Sequence, residues 1–206
     1  MNEKPHLVIY PTVITKLFDD FEQYQNELKV YSLNIPHVPR MLSHGEANGF
    51  DGGIWTITTN RVKGKPYLDD PSFDASRLAT SLAEFHSSSL SKGKCLCHMD
   101  NQPKNILLSG NEFFFVDFSD SRVDFPETDV SHLLLFWAEE FTYMEFIAIA
   151  GCFLNSYQQI IALDSKRWTK QLKLSISRFD FRRTMFYKKT PSADSPRNRN
   201  WLEAVV

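Results

Sequence analysis

The segment 98–118 constrains this chain more than any other part of the sequence. Asp100 is followed five residues later by Asn105, across a loop stiffened by proline. An apolar run then predicts a strand, SGNE predicts a tight turn, and a second apolar run ending at Asp117 predicts the returning strand. A three-residue turn at 110–112 would place residue 105 opposite residue 117, and a two-residue turn would shift this pairing by one. Because facing strands lie about 5 Å apart, we expect Asp117 within about 5–7 Å of Asn105.

These residue types suit the transfer of a phosphoryl group. Such a site needs a carboxylate that orients the attacking hydroxyl and accepts its proton, and oxygen ligands that hold Mg²⁺ against the phosphates. Asp100 can serve as the base. Asn105 and Asp117 can share one Mg²⁺ ion, which prefers oxygen ligands. The alternative is an acidic loop capped by Asn105 in an unrelated fold.

The pattern HxDxxPxN followed by VDF resembles the catalytic and metal-binding loops of the protein-kinase-like superfamily, and most closely its aminoglycoside phosphotransferase and choline kinase branch. The sequence LAEFH at 82–86 is similar to a helix of that branch, and Asp129 resembles the aspartate that braces its catalytic loop. The resemblance covers about residues 7–140. It implies an α+β, two-lobed fold with a reduced β-rich N-terminal lobe and a mainly helical C-terminal lobe.

The resemblance also implies roles for individual residues. Asp100 would be the catalytic base, Asn105 and Asp117 would bind Mg²⁺, and His98 would brace the loop.

In the N-terminal lobe, Lys16 resembles the strand lysine that contacts the nucleotide phosphates, and Glu27 resembles its partner on the following helix. A solvated lysine–glutamate pair is the alternative for these two. The segment Ile57–Gly64 resembles the hinge whose backbone pairs with adenine. Its predicted cofactor-binding residues are Thr59, Asn60 and Arg61.

The activity implied is the transfer of phosphate from ATP, with Mg²⁺, to a hydroxyl of a small molecule: an aminoglycoside, a sugar, an amino alcohol or a lipopolysaccharide-core sugar. Three departures from the pattern stand beside this expectation. Gln102 stands where many relatives have Lys or His, Ser119 stands where Gly is usual, and residues 1–15 contain no glycine for a phosphate-covering loop. These departures motivate the alternatives of a pseudokinase or regulatory nucleotide-binding module, or an atypical protein kinase.

Patterning along the chain predicts four regions. They are an N-terminal lobe at 1–62, a linker at 63–72, a helical lobe with the catalytic hairpin at 73–188, and a basic tail at 189–206. Within them we expect a helix capped by Asp19 or Asp20 and a turn at 43–53, together with C-terminal helices over 129–141, 142–163 and 164–188.

Charge divides the 206 residues unevenly. Residues 1–165 contain 12 Lys and Arg against 22 Asp and Glu, whereas residues 166–206 contain 11 against 3. The basic segment could face an anionic acceptor or make peripheral membrane contact, or its charges could be the solvated faces of helices docked on an acidic body. No nucleic-acid partner is predicted.

Compartment and thiol chemistry follow from short sequence features. The first ten residues lack the apolar run of a signal peptide, and the three cysteines include no CxxC pair. We therefore expect a reduced, cytoplasmic protein. Cys95, Cys97 and His98 resemble a zinc motif in spacing, but strand alternation puts the two thiols on one face and His98 on the other, which favours buried thiols.

Overall fold

The computed structural model describes residues 6–47, 54–186 and 192–206. Its N-terminal part contains strands β1 (His6–Ile9) and β2 (Val13–Phe18), helix α1 (Phe21–Ser32), and strands β3 (Met41–Ala47) and β4 (Ile54–Asn60). Among these described residues the strands form an antiparallel sheet in the order β1-β2-β4-β3. Asp20 caps α1, since its side chain accepts bonds from the backbone N–H groups of Glu22 and Gln23.

The prediction of a turn at 43–53 is wrong for residues 43–47. Residues 43–47 belong to β3, where Ser43 lies opposite Thr58 and Ala47 opposite Ile54. The pairing with β4 outweighs the turn preference of the local sequence. Residues 48–53 lie outside the described residues.

The C-terminal part begins with β5 (Lys65–Pro66) and a short 3₁₀ turn, followed by helix α2 (Ala75–Ser87) and strand β6 (Cys95–Cys97). Strands β7 (Ile106–Ser109), β8 (Glu112–Phe115) and β9 (Arg122–Asp124) come next. Helices α3 (Pro126–Glu140), α4 (Tyr143–Gln158), α5 (Ser165–Phe186) and α6 (Ser195–Ala204) complete the described chain. The α+β architecture predicted from the sequence is confirmed, with a small sheet lobe and a larger helical lobe.

Two segments are more tightly packed than their expected roles as linker and tail imply. In the linker segment 63–72, β5 pairs with β7 and Tyr67 is fully buried, with its hydroxyl accepting a bond from Trp137 Nε1 at 2.5 Å. In the basic tail 189–206, α6 buries Leu202, whose carbonyl accepts a bond from Trp168 Nε1 at 2.8 Å. Residues 187–191 lie outside the described residues, and the lobe boundaries stay a prediction.

The main hydrophobic core lies in the helical lobe and supports the catalytic hairpin from below. Aromatic rings from α2, β8 and the loop after it stack there, with Phe85 packed against Phe115 and Phe118. A separate, smaller core of Phe18, Tyr24 and Ile57 fixes α1 on the N-terminal sheet. Among the described helices, none combines the length and apolarity needed to cross a membrane.

Candidate active site

The catalytic loop is anchored from beneath by one buried carboxylate. Asp129, near the start of α3, accepts bonds from the backbone N–H groups of His98 and Met99 at 2.5 and 2.8 Å, and from His86 Nε2 at 3.0 Å. Burial raises the pKa of Asp129, but the His86 bond and the nearby charges lower it by more, so it lies below 3.8 and the group is ionised at neutral pH. Met99 has a φ of 67°, in the left-handed region. The two bonds to Asp129 help to hold this strained backbone conformation.

His98 connects this loop to the strand that carries Asp117. Its Nε2 donates to the carbonyl of Val116 at 2.9 Å, and its Nδ1 accepts from the backbone N–H of Asp100 at 3.3 Å. Both ring nitrogens therefore make hydrogen bonds to the backbone. This is the contact pattern expected of a brace, the role that the sequence resemblance implies.

Asp100 is nearly buried, with 9% of its surface exposed. Its Oδ2 accepts bonds from Gln102 Nε2 at 2.6 Å and from Asn105 Nδ2 at 3.0 Å, and Asn105 Nδ2 also donates to the Asp100 carbonyl at 3.0 Å. Its other oxygen, Oδ1, lies 3.4 Å from Nη1 of Arg182 on α5. The carboxylate is thus held in a fixed orientation from three sides.

The hairpin after the loop uses the shorter of the two predicted turns. Ser109 pairs with Glu112, so the turn has two residues, Gly110 and Asn111. Asn105 consequently faces Val116, whose N–H donates to the Asn105 carbonyl at 3.0 Å, and Asp117 follows directly. Gly110 has a φ of 60°, a conformation that glycine adopts without strain.

The structure brings Lys16 together with Glu27 and Asp117. Lys16 Nζ donates to Glu27 Oε1, to Asp117 Oδ1 at 2.6 Å and to Ser119 Oγ at 3.2 Å. Ser119 Oγ in turn donates to Glu27 Oε1 at 2.6 Å. Glu27 is only 1% exposed, so this is a buried ion pair and not the solvated pair weighed as an alternative.

The charged groups in this cluster shift one another's pKa values. Burial lowers the pKa of Lys16, but Glu27 and Asp117 raise it by more, and the net pKa lies above 10.5. Burial raises the pKa of Asp117, but Lys16 lowers it by more, and the net pKa lies below 3.8. Burial also raises the pKa of Glu27 to about 6, against the opposing effect of Lys16. At neutral pH the cluster therefore carries one ammonium and two carboxylates.

The predicted hinge residues separate into two groups. Thr59 and Asn60 line a cavity of about 670 Å³ between the sheet lobe and the hairpin. Arg61 is not among the residues that line this cavity: its backbone N–H donates to the Thr12 carbonyl at 2.8 Å and its guanidinium to the Tyr10 carbonyl at 3.1 Å.

Nearly all the predicted site residues share that larger cavity. Its wall includes seven of the eight, namely Lys16, Glu27, Thr59, Asn60, Asp100, Asn105 and Asp117. A smaller cavity of about 290 Å³ lies beside it, bounded by α3 and α5 and lined by His132, Phe136 and Phe179 among others. The two cavities share four residues: Asp100, Gln102, Lys104 and Arg182.

Arg182 was not predicted from the sequence. Its Nη1 lies 3.0 Å from Asp120 Oδ2 as well as 3.4 Å from Asp100, and Arg178, one turn earlier on α5, lies 3.6 Å from the same Asp120 oxygen. The only signal for it was the excess of basic residues after position 165. The local sequence pattern did not indicate which of those side chains would reach Asp100.

The two thiols on β6 do not form a zinc site with His98. Cys95 and Cys97 lie on one face with their Sγ atoms 3.7 Å apart, whereas the His98 ring contacts Val116. A different histidine, His86, is close to both thiols, but its two nitrogens already bond to Tyr157 and Asp129. The expectation of buried thiols is confirmed for Cys95 and Cys97.

Comparison with known proteins agrees with this geometry. Residues 88–158 match the model of a phosphotransferase enzyme family. No curated protein matches the sequence significantly.

Solved structures with a similar fold include three small-molecule kinases or kinase-family proteins. The amicoumacin kinase hAmiN, in complex with AMP-PNP, Ca²⁺ and Ami, has a TM-score of 0.68 and 14% identity, with 98% of this chain and 89% of that chain covered. The aminoglycoside phosphotransferase APH(3'')-Id from Streptomyces rimosus has a TM-score of 0.60 and 15% identity over 82% and 91% of the two chains. A choline/ethanolamine kinase family protein from Mesorhizobium loti has a TM-score of 0.60 and 12% identity over 98% and 83%. Together with the family match, these likenesses agree with the resemblance seen in the sequence: this chain has the fold that these small-molecule kinase structures share.

Proposed function

We propose that this protein transfers the γ-phosphoryl group of ATP to a hydroxyl of a small molecule, with Mg²⁺ as cofactor. The observation that carries the proposal is the meeting of the two cavities at Asp100. A base must touch the acceptor on one side and face the nucleotide on the other. Of the predicted site residues, Asp100 alone lines both cavities.

The residues in the larger cavity fit a nucleotide and a hard cation. Asp117 is ionised at neutral pH, and both N–H bonds of the Asn105 amide go to Asp100, so the Asn105 side chain offers its oxygen to a cation. Mg²⁺ held by these two groups would neutralise phosphate charge. The ammonium of Lys16, oriented by Glu27, would hold phosphate oxygens, and Thr59 and Asn60 would lie toward the adenine.

The smaller cavity is the proposed acceptor site. Its volume of about 290 Å³ is at the lower end of the usual range for small-molecule sites, about 300–1,000 Å³, and suits a compact acceptor. In the transfer, the acceptor oxygen forms a bond to the γ-phosphorus and the bond from that phosphorus to the β–γ bridging oxygen breaks. The electron pair leaves with ADP, and the acceptor proton passes to the Asp100 carboxylate.

The molecules bound in the fold neighbours support this proposal. The amicoumacin kinase structure contains AMP-PNP and Ca²⁺, and a second structure of the Streptomyces rimosus enzyme contains ADP and streptomycin. Both complexes pair a nucleotide with a small-molecule acceptor.

Substitution of Asp100 tests the proposal and separates it from the pseudokinase alternative. With labelled ATP, Mg²⁺ and a panel of sugar and amino-alcohol acceptors, we expect Asp100→Asn to lower turnover by about 10²–10⁴-fold, the typical contribution of a general base. Asp100→Asn should still be stabilised against heat by Mg·ATP, whereas Asp117→Asn should lose most of that stabilisation. Asp124→Asn, on β9 and paired with Arg122, is the control for loss of a nearby carboxylate.

The outcomes separate the alternatives. Turnover that survives Asp100→Asn, or no heat stabilisation of the wild type by Mg·ATP, contradicts the proposal. Nucleotide binding without turnover on any acceptor favours a regulatory module, and labelling of protein instead of small molecules favours an atypical protein kinase.

A further inference from the structure

We propose that Arg182 on α5 contacts the transferring phosphoryl group and supplies the positive charge that the neutral Gln102 does not. The inference rests on the proposed function and deepens it by naming a catalytic residue. Its basis is the position of Arg182 between the two cavities, at the point where the reacting groups would meet.

The loop itself cannot supply this charge at its second position after the base. Gln102 is a neutral amide, and its Nε2 donates to Asp100 Oδ2 at 2.6 Å. Its effect is to orient the base. During transfer, the phosphoryl group spreads negative charge over three oxygens, and a cation beside those oxygens stabilises the transition state.

Arg182 is placed where such a cation is needed. Its Nη1 lies 3.4 Å from Asp100 Oδ1 and 3.0 Å from Asp120 Oδ2, so the guanidinium sits against the base and beside the loop that carries Asp117. The Arg182 side chain is 29% exposed and lies at the shared wall of the cavities.

Arg182 Nη1 is held by ion pairs and not by aligned hydrogen bonds among the described residues. Two carboxylates lie within ion-pair distance of it. The guanidinium is therefore positioned by charge, and its fork of N–H groups matches the geometry of phosphate oxygens. During transfer the positive charge of Arg182 offsets the negative charge that develops on the phosphoryl oxygens.

Lys104 is the competing cation, because it also lines both cavities. It is exposed on the 3₁₀ turn of the loop, and no ion pair joins it to Asp100 among the described residues. Arg182 is more buried and touches the base directly. The geometry therefore favours Arg182, and a variant of Lys104 belongs in the test.

The test compares two nucleotides that differ in the γ-phosphate. Calorimetry in the presence of Mg²⁺ gives the affinities for AMP-PNP and ADP, and their ratio reports contact with the terminal phosphate without requiring an acceptor. We expect Arg182→Gln to lower the AMP-PNP to ADP preference by about tenfold, the effect of one lost charge-assisted hydrogen bond, with ADP affinity changed by less than about threefold. Arg182→Lys keeps the charge and should retain part of the preference.

Arg178→Gln is the matched control. Arg178 lies one turn away on the same helix and pairs with the same Asp120, but it lines neither cavity. It should keep the wild-type ratio, and circular dichroism should show that all variants fold.

Three results would overturn the inference: an unchanged ratio in Arg182→Gln, the same loss in Arg178→Gln, or a loss confined to Lys104→Gln. If the wild type binds neither nucleotide, the proposed function itself is refuted and the inference fails with it. Normal nucleotide binding with an unchanged ratio refutes the role of Arg182 alone.

Discussion

His132, on α3, is a buried imidazole without a hydrogen-bond partner for its Nδ1 among the described residues. Its ring packs edge-on against Phe136 and Phe179 in the wall of the smaller cavity. The pKa of His132 is lowered from 6.5 to about 3, mainly by burial; Asp129 opposes this shift, and two arginines of α5 add to it. The wall of the smaller cavity therefore presents a neutral ring at physiological pH.

The depressed pKa of His132 predicts a pH dependence of stability. The unfolded chain takes up a proton at His132 near pH 6.5 and the folded chain does not, so stability is present above pH 6.5 and is lost as the pH falls toward 3. At pH 5 the loss through this one group is about 2 kcal/mol. His132→Phe should remove it, so that urea unfolding at pH 7.5 and pH 5.0 shows a smaller difference for the variant than for the wild type.

The other five histidines are common to both proteins and cancel in this comparison. An equal pH dependence in wild type and variant would mean that His132 is protonated in the folded state.

Strand geometry made only residues close together in the sequence predictable as a site, whereas the distant Lys16 and Glu27 were predicted from the family resemblance. Asp100, Asn105 and Asp117 lie within one loop and hairpin, so strand geometry alone brings them to one place. His132 and Arg182 reach the same place from α3 and α5. Their positions depend on how the helices pack, which the pattern of apolar residues does not specify to the precision of one side chain.

At the scale of the elements, β5 is held close to β7 with no space between their main chains for a side chain at Gly64. Gly64, just before β5, has no room for a side chain: a Cβ atom there would lie 2.7 Å from the Leu108 carbonyl oxygen. Because that neighbour is backbone, it cannot rotate away. The distance between β5 and β7 is therefore set by contact between their main chains.

Gly64→Ala should therefore destabilise the protein by about 1–3 kcal/mol, the usual cost of overpacking. Gly151→Ala is the control, because a Cβ atom at Gly151 in α4 meets nothing within 4 Å and alanine favours helix by about 1 kcal/mol. Denaturant unfolding of the two variants should give shifts of opposite sign. A neutral effect of Gly64→Ala would show that β5 can move away from β7.

The elements also show where local sequence is ambiguous. The catalytic hairpin was predicted with two possible registers, and the two-residue turn at Gly110 and Asn111 decides between them. For residues 43–47, polar and glycine content favoured a turn, but pairing with β4 makes them a strand. In both cases the partner strand supplies information that a single segment lacks.

Across the whole molecule, the uneven distribution of charge becomes a set of ion pairs between segments. Arginines after residue 165 pair with carboxylates before it, as in Arg167 with Glu127 and Arg182 with Asp120. Glu139 on α3 pairs with both Arg183 of α5 and Arg199 of α6. This agrees with the expectation of basic helices docked on an acidic body, and peripheral membrane contact stays a prediction.

Glu139 is the point where three helices meet, so its charge should matter to global stability. It is 9% exposed and also accepts a bond from Ser195 Oγ at 2.5 Å. Glu139→Gln should cost about 3 kcal/mol of unfolding free energy, since it removes the buried negative charge that faces Arg183 and Arg199.

Glu203→Gln, an exposed position on α6, should change stability by less than about 0.5 kcal/mol. Equal effects of the two substitutions in urea unfolding would show that the Glu139 pairs contribute nothing.

The anchoring of the catalytic loop by Asp129 has a consequence for how this enzyme-like site could change over evolution. A continuous line of hydrogen bonds runs from the Tyr157 hydroxyl through His86 to Asp129, and from there to the loop backbone at His98 and Met99. Substitutions along that line would disturb folding and loop position together, and would be removed by selection. The walls of the smaller cavity on α3 and α5 are largely separate from it, so a new acceptor could be accommodated there while the loop stays in place.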